Sequence, residues 1–233
     1  MAIAHLHLDC TRWPARLLLS GVALVVAITA IALAAEPQAL RTPGAVLLLP
    51  AMVVLVALYA VTGVVALRHP GPGDTLGAAF GLAAGAMWCV EIFGGGPARL
   101  SRPAEVAVGL TFSLAAVGFS LAAGPIASRR HRTWRAAVRA GTFAGLVSGV
   151  VVFIFGVGMT LLTLDLLGSR GDYQAQLAHS QAPSMPAFLV QDILAATCAH
   201  LVINAVLGLA GAGLATLHPA ATSVARRRRT SAE

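Results

Sequence analysis

Residues 141–167, GTFAGLVSGVVVFIFGVGMTLLTLDLL, form an apolar run longer than a soluble core helix needs. As a helix it is long enough to cross a hydrocarbon layer of about 30 Å. Within it Gly141, Gly145, Gly149, Gly156, Thr160 and Thr163 fall in one narrow sector at the helical period. In lipid, apolar side chains gain nothing by leaving the solvent, so helices associate through close backbone approach, and a stripe of small residues favours that contact. The run therefore predicts a membrane helix with neighbours, and hence a bundle.

Composition agrees with that reading. Hydrophobic residues make up 58% of the 233 and charged residues 11%, against about 25% charged in a soluble domain. The mean hydropathy is +0.82. Five further apolar runs, at 17–35, 45–67, 75–93, 104–127 and 187–217, are separated by Pro, Gly and Arg clusters. The expected fold is an all-α integral membrane protein, a bundle of six transmembrane helices. It divides into a leader at 1–16, a membrane domain at 17–217 and a basic tail at 218–233. The first run ends in ALAAE, which imitates a signal-peptidase site. Its 19 residues exceed the usual signal core of about 7 to 15, so a retained span is expected.

All sixteen basic residues are arginine. With six spans, Arg12, Arg16, Arg68, Arg129, Arg130, Arg132, Arg135, Arg139 and Arg226 to Arg229 share one side, leaving Arg41, Arg99, Arg102 and Arg170 on the other. A twelve-to-four bias places the rich side, and with it both termini, leader and tail, in the cytoplasm. The arginine-rich, alanine-rich composition suggests a bacterial source, and the expected location is the plasma membrane. The spans at 75–93 and 141–167 share a glycine spacing, Gly77, Gly81 and Gly85 matching Gly141, Gly145 and Gly149 at an offset of 64. Such patterns recur by chance in glycine-rich membrane chains, and the flanking spans align poorly.

Groups that carry chemistry are few. The chain has no lysine and therefore no phosphate-binding loop, and it lacks H-E-x-x-H, G-x-S-x-G and C-x-x-C. The three cysteines form neither a disulfide framework nor a zinc pattern. His5, His7, Asp9 and Cys10 have no second ligand cluster nearby, and an unstructured leader is the simpler reading. No metal, cofactor or nucleic acid is expected.

Ionisable groups inside spans are expensive and so tend to have a reason. Thr197, His200, Asn204, Gly208 and Gly211 share a face of the sixth span, and His200 and Asn204 are one turn apart. Counted from Ala187 at 1.5 Å per residue, His200 lies about 20 Å deep, near the midplane. Two readings of this pair stand side by side: a proton-handling or substrate-binding site, or an interhelical hydrogen bond that locks the bundle.

At the opposite side from the arginines, Glu36, Glu91, Glu105, Asp165, Asp172 and Asp192 crowd the span ends with His179. Such a rim is either a solvated edge or a site for cations or acid–base chemistry. Glu91, two residues inside a span end and beside Trp88, is its most interesting member.

Six spans with both termini inside resemble the permease subunits of some ABC exporters in layout, with no shared residue motif. The expected function is that of a transport-type component, either a permease subunit or a small ion-coupled carrier binding through His200, Asn204 and Glu91. A membrane enzyme acting on a lipid or isoprenoid, with Glu91, Asp165 and Asp192 as acid or base, is the alternative. Its cavity would favour aromatic walls, and aromatics are only 6% of the chain. A regulatory or scaffolding subunit is the third reading. Expected partners are the bilayer, a cytoplasmic ATPase subunit or anionic lipid at the Arg129–Arg139 loop, and a second copy of the chain in a homo-oligomer.

Overall fold

The computed structural model describes residues 2–42, 44–98 and 100–230, with side chains described over 11–42, 44–98 and 100–215. The regular elements are α1 (Ala2–Ala35), a 3-10 turn (Pro37–Arg41), α2 (Ala45–Arg68), α3 (Asp74–Gly95), α4 (Arg102–His131), α5 (Trp134–Leu162), α6 (Leu164–Gly168), α7 (Gly171–His179) and α8 (Met185–Thr230). No strand occurs among the described residues. Six of these helices, α1 to α5 and α8, are long and apolar enough to cross a membrane, so the chain has the architecture of a multi-pass membrane protein. Three of the six, α2, α3 and α4, lie within about four residues of the runs legible in the sequence, and α8 starts within two residues of its run but continues helical to Thr230, past the expected end at 217. The first and fifth are shifted.

The residues expected to form an unstructured leader are helical from Ala2 and continuous with the first span. The side chains of His5, His7, Asp9 and Cys10 lie outside the described residues. The fifth span starts at Trp134, seven residues before the expected position, and ends at Leu162. Arg129 to Arg139 are therefore not a loop: Arg129 to His131 end α4, residues 132 and 133 turn, and Trp134 to Arg139 open α5. Arg132 adopts a left-handed φ of 54°, its N–H donating to the Ser128 carbonyl at 2.7 Å, and the Thr133 side chain accepts from the Ala136 N–H to cap α5. At the far end, the Thr163 hydroxyl donates to the Met159 carbonyl at 2.7 Å while its N–H turns back to Thr160, and the chain breaks into α6. With 29 residues, α5 is already about 43 Å long, so residues 164–167 are not needed to span.

The other long helices are arranged around α5. α8, α3, α4 and α1 all pack on it, and Phe143, Val147, Val150, Phe153 and Val157 anchor the apolar core. Small residues set these distances. A Cβ at Gly145 would collide with the Asn204 backbone of α8, and one at Gly141 with Gly208, whose own Cβ would strike Gly141 in return. Further along, Gly149 lies against Leu201 and Gly156 against Thr197. This is the expected glycine stripe, and it faces an antiparallel α8. The α3 glycines contact the opposite flank of α5: Gly77 meets Ala140, Gly81 meets Ala144 and Val147, and Gly85 meets Val151. The matched glycines of the two spans thus serve different contacts, one parallel and one antiparallel.

Candidate functional site

The polar centre of the bundle is built from three helices. Asn204 on α8 is fully buried and makes three hydrogen bonds. Its Oδ1 accepts from the indole Nε1 of Trp88 on α3 and from the hydroxyl of Ser148 on α5, each at 3.1 Å. Its Nδ2 donates to the His200 carbonyl at 2.9 Å. An indole N–H can only donate and a carbonyl can only accept, so these partners dictate which way the amide faces. The network joins α3, α5 and α8 at the level where the glycines bring their backbones together. Ser148 reaches Asn204 because Gly145 and Gly149, one on each side of it in sequence, admit α8 at close range.

No hydrogen bond joins the His200 ring to Asn204, whose oxygen carries the interhelical bonds of this face. The imidazole stands edge-on to the Trp88 ring, with centroids 4.9 Å apart and planes at 69°. Nδ1 of His200 is buried and has no hydrogen-bond partner. The cluster thus holds one polar side chain that is well paired, Asn204, and one that is not. On the same face, Thr197 is buried and turns its hydroxyl back to the Ile193 carbonyl at 2.6 Å. Beside Gly149, the Tyr59 hydroxyl of α2 donates to the Leu201 carbonyl at 2.7 Å and ties α2 to α8.

Trp88 and Ser148 are the members of this site that sequence reading missed. Trp88 had been noted as a neighbour of Glu91 and an interface anchor, yet it is the hydrogen-bond donor at the centre. Ser148 lies between two glycines of the stripe, and that position was its only signal.

The acidic rim does not close into one site. Asp165 and Asp192 are exposed and Glu91 is half-buried. Asp192 lines a hollow with Ser180, Gln181 and Phe188, whereas Glu105 lines a separate one with Leu100 and Arg170. Among the described residues no group of three His, Cys, Asp or Glu side chains is placed to hold a metal ion. Asp172 is engaged by Arg170, Nη2 to Oδ2 at 2.8 Å and Nε to Oδ1 at 3.1 Å, which holds its carboxyl below the usual carboxylate range. Arg170 also donates through Nη1 to the carbonyls of Gly95 and Gly96, so it caps the end of α3.

At the arginine-rich end lies a second buried polar contact that the sequence did not announce. Asp74, 2% exposed at the start of α3, takes two hydrogen bonds of 2.6 Å from Nε and Nη2 of Arg139 on α5 and a third from the Gly71 N–H. Arg139 also donates to the His69 carbonyl at 2.8 Å. Gly73 permits this corner. Its φ is +102°, and a Cβ there would strike the Ala136 carbonyl. Arg139 had been counted as a topology signal and as the end of the Arg129–Arg139 partner loop, because its partner in the fold lies 65 residues away.

Family models, curated proteins and solved structures offer no match to this chain.

Proposed function

We propose that this protein is a transport-type membrane component, a small ion-coupled carrier or a permease subunit of a bacterial plasma membrane, with His200 as its proton-handling group. The observation that carries this reading is the unpartnered Nδ1 of His200, held beside Trp88 in the interior of a membrane-crossing helix. A polar atom left without a partner in an apolar bundle costs about 1–3 kcal/mol, and a group that takes up and releases a proton needs a free lone pair. Trp88 holds the imidazole from one side through the T-shaped ring contact, and its own indole is fixed by the bond to Asn204. The exposed or separated positions of Glu91, Asp165 and Asp192 give the enzyme reading less support. A passive scaffolding subunit is the competing reading, favoured by the way Asn204 ties three helices together.

The test is proton flux into reconstituted vesicles, read with an internal pH-sensitive dye under an imposed membrane potential. The parent should dissipate the gradient faster than protein-free vesicles. His200→Gln should melt with the parent yet conduct no faster than empty vesicles, because Gln keeps a donor and an acceptor but does not titrate. Equal flux from parent and variant at every pH would leave the scaffolding subunit as the better account.

A further inference from the structure

At the arginine-rich end, the turn at residues 70–73, the start of α3, the end of α4 and α1 line an open hollow of about 570 Å³. Its walls include Thr75, Leu76 and Ala79 of α3, Arg130 and His131 of α4, and Thr11 of α1. We infer that this hollow binds the phosphate headgroup of an anionic phospholipid. The inference is independent of the carrier reading.

Three observations carry it. The first is the donor set: the Arg130 guanidinium and the His131 ring are exposed on the hollow, and among the described residues neither side chain is engaged elsewhere. The second is the position of the acid that would otherwise oppose them. Asp74 is one residue from Thr75, but both its oxygens are taken by Arg139 and the Gly71 N–H, and it is buried beneath that contact. The lining itself contains no acidic residue among those described. The hollow therefore presents positive charge and the Thr75 hydroxyl, a donor set suited to a phosphate oxygen.

The third observation is apolar and distinguishes a lipid from a free ion. Below Arg130 and His131, Leu76 and Ala79 continue the wall along α3 in the direction of the span, with Ala79 exposed. A free phosphate has no use for that lane, whereas the glycerol and first acyl carbons of a lipid would lie along it. Trp134, 62% exposed one turn past the α4 end, sits at the same end, where indoles favour the headgroup level.

The experiment measures thermal stabilisation of the full chain in detergent by phosphatidylglycerol, phosphatidylcholine or inorganic phosphate. Phosphatidylglycerol should raise Tm in a saturable manner, and the other two should not. Arg130→Gln should weaken the half-saturating concentration about fivefold, the size of one basic contact at a headgroup surface. Arg135→Gln, an equal loss of charge on the same end but outside the hollow, should shift it less than Arg130→Gln does. Ala79→Phe keeps every charge and fills the apolar lane, so it should weaken phosphatidylglycerol binding while the unliganded Tm stays near that of the parent. Equal losses for Arg130→Gln and Arg135→Gln, unchanged binding in Ala79→Phe, or equal protection by inorganic phosphate would each overturn the assignment.

Discussion

Helices α2 and α5 are nearly alike in apolar character, and both are long enough to cross a membrane, yet 61% of the most apolar stretch of α5 is buried against 11% of that of α2. α2 carries one glycine, Gly63, which meets Leu19, and turns Val46, Leu47, Val53, Val61 and Val65 outward. α5 carries five, and four of them, Gly141, Gly145, Gly149 and Gly156, lie on the side facing α8. In water the more apolar helix is the more buried one. In lipid both faces of a span are equally well solvated by hydrocarbon, and backbone approach decides which helix takes the centre. Small residues, not hydropathy, separate the hub from the perimeter.

The largest effect should come from attacking that distinction directly. Gly145→Leu forces a side chain into the Asn204 backbone and should cost more than about 3 kcal/mol, at or beyond the usual range for overpacking. Val61→Leu on α2, 61% exposed, should leave Tm within a degree or two of the parent. If both variants melt alike, α5 is not the hub.

A smaller difference is expected between the arginines at the ends of the same two helices. Arg139→Gln leaves the Asp74 carboxylate buried with only the Gly71 N–H, and about 3 kcal/mol is expected from breaking a largely buried pair from one side. Arg68→Gln, exposed at the end of α2, should change stability by under about 0.5 kcal/mol. Adding Asp74→Asn to Arg139→Gln should recover part of the loss, since it removes the stranded charge. No recovery would mean that the cost lies in the His69 carbonyl contact.

The smallest effect sharpens the comparison at the point where α2 joins the centre. Tyr59→Phe removes only the hydroxyl that reaches the Leu201 carbonyl, and about 1 kcal/mol should be lost in thermal or denaturant unfolding. A loss comparable to that of Gly145→Leu would make α2 as central as α5.

Much of this was readable beforehand, and the exceptions have a common cause. Hydropathy located six spans, since a chain in hydrocarbon must satisfy its backbone internally over about 20 residues wherever it crosses. The spacing of Gly141, Gly145 and Gly149 announced a packing face. It could not say whether that face met α3 or α8, because small residues permit approach without naming the partner. The one-turn spacing of His200 and Asn204 stacked two polar side chains on one face and offered an interhelical hydrogen bond without naming its partner. Trp88 and Ser148 take the Asn204 oxygen, and their separations from it, 116 and 56 residues, carry no periodic signal.

By itself, then, the sequence determined the class of the protein, the number of its spans, the uneven arginine distribution and the face on which α5 is thin. These follow from local composition and helical period. Only the tertiary structure decided that Arg129 to Arg139 belong mostly to helices, that Asp74 and Arg139 form a buried pair, and that the α3 and α5 glycines contact different neighbours. It also left the His200 ring against an indole with one nitrogen unpaired. Each of these depends on which helices lie side by side, and in a bilayer that choice is made by shape and by hydrogen bonds between residues far apart in the chain.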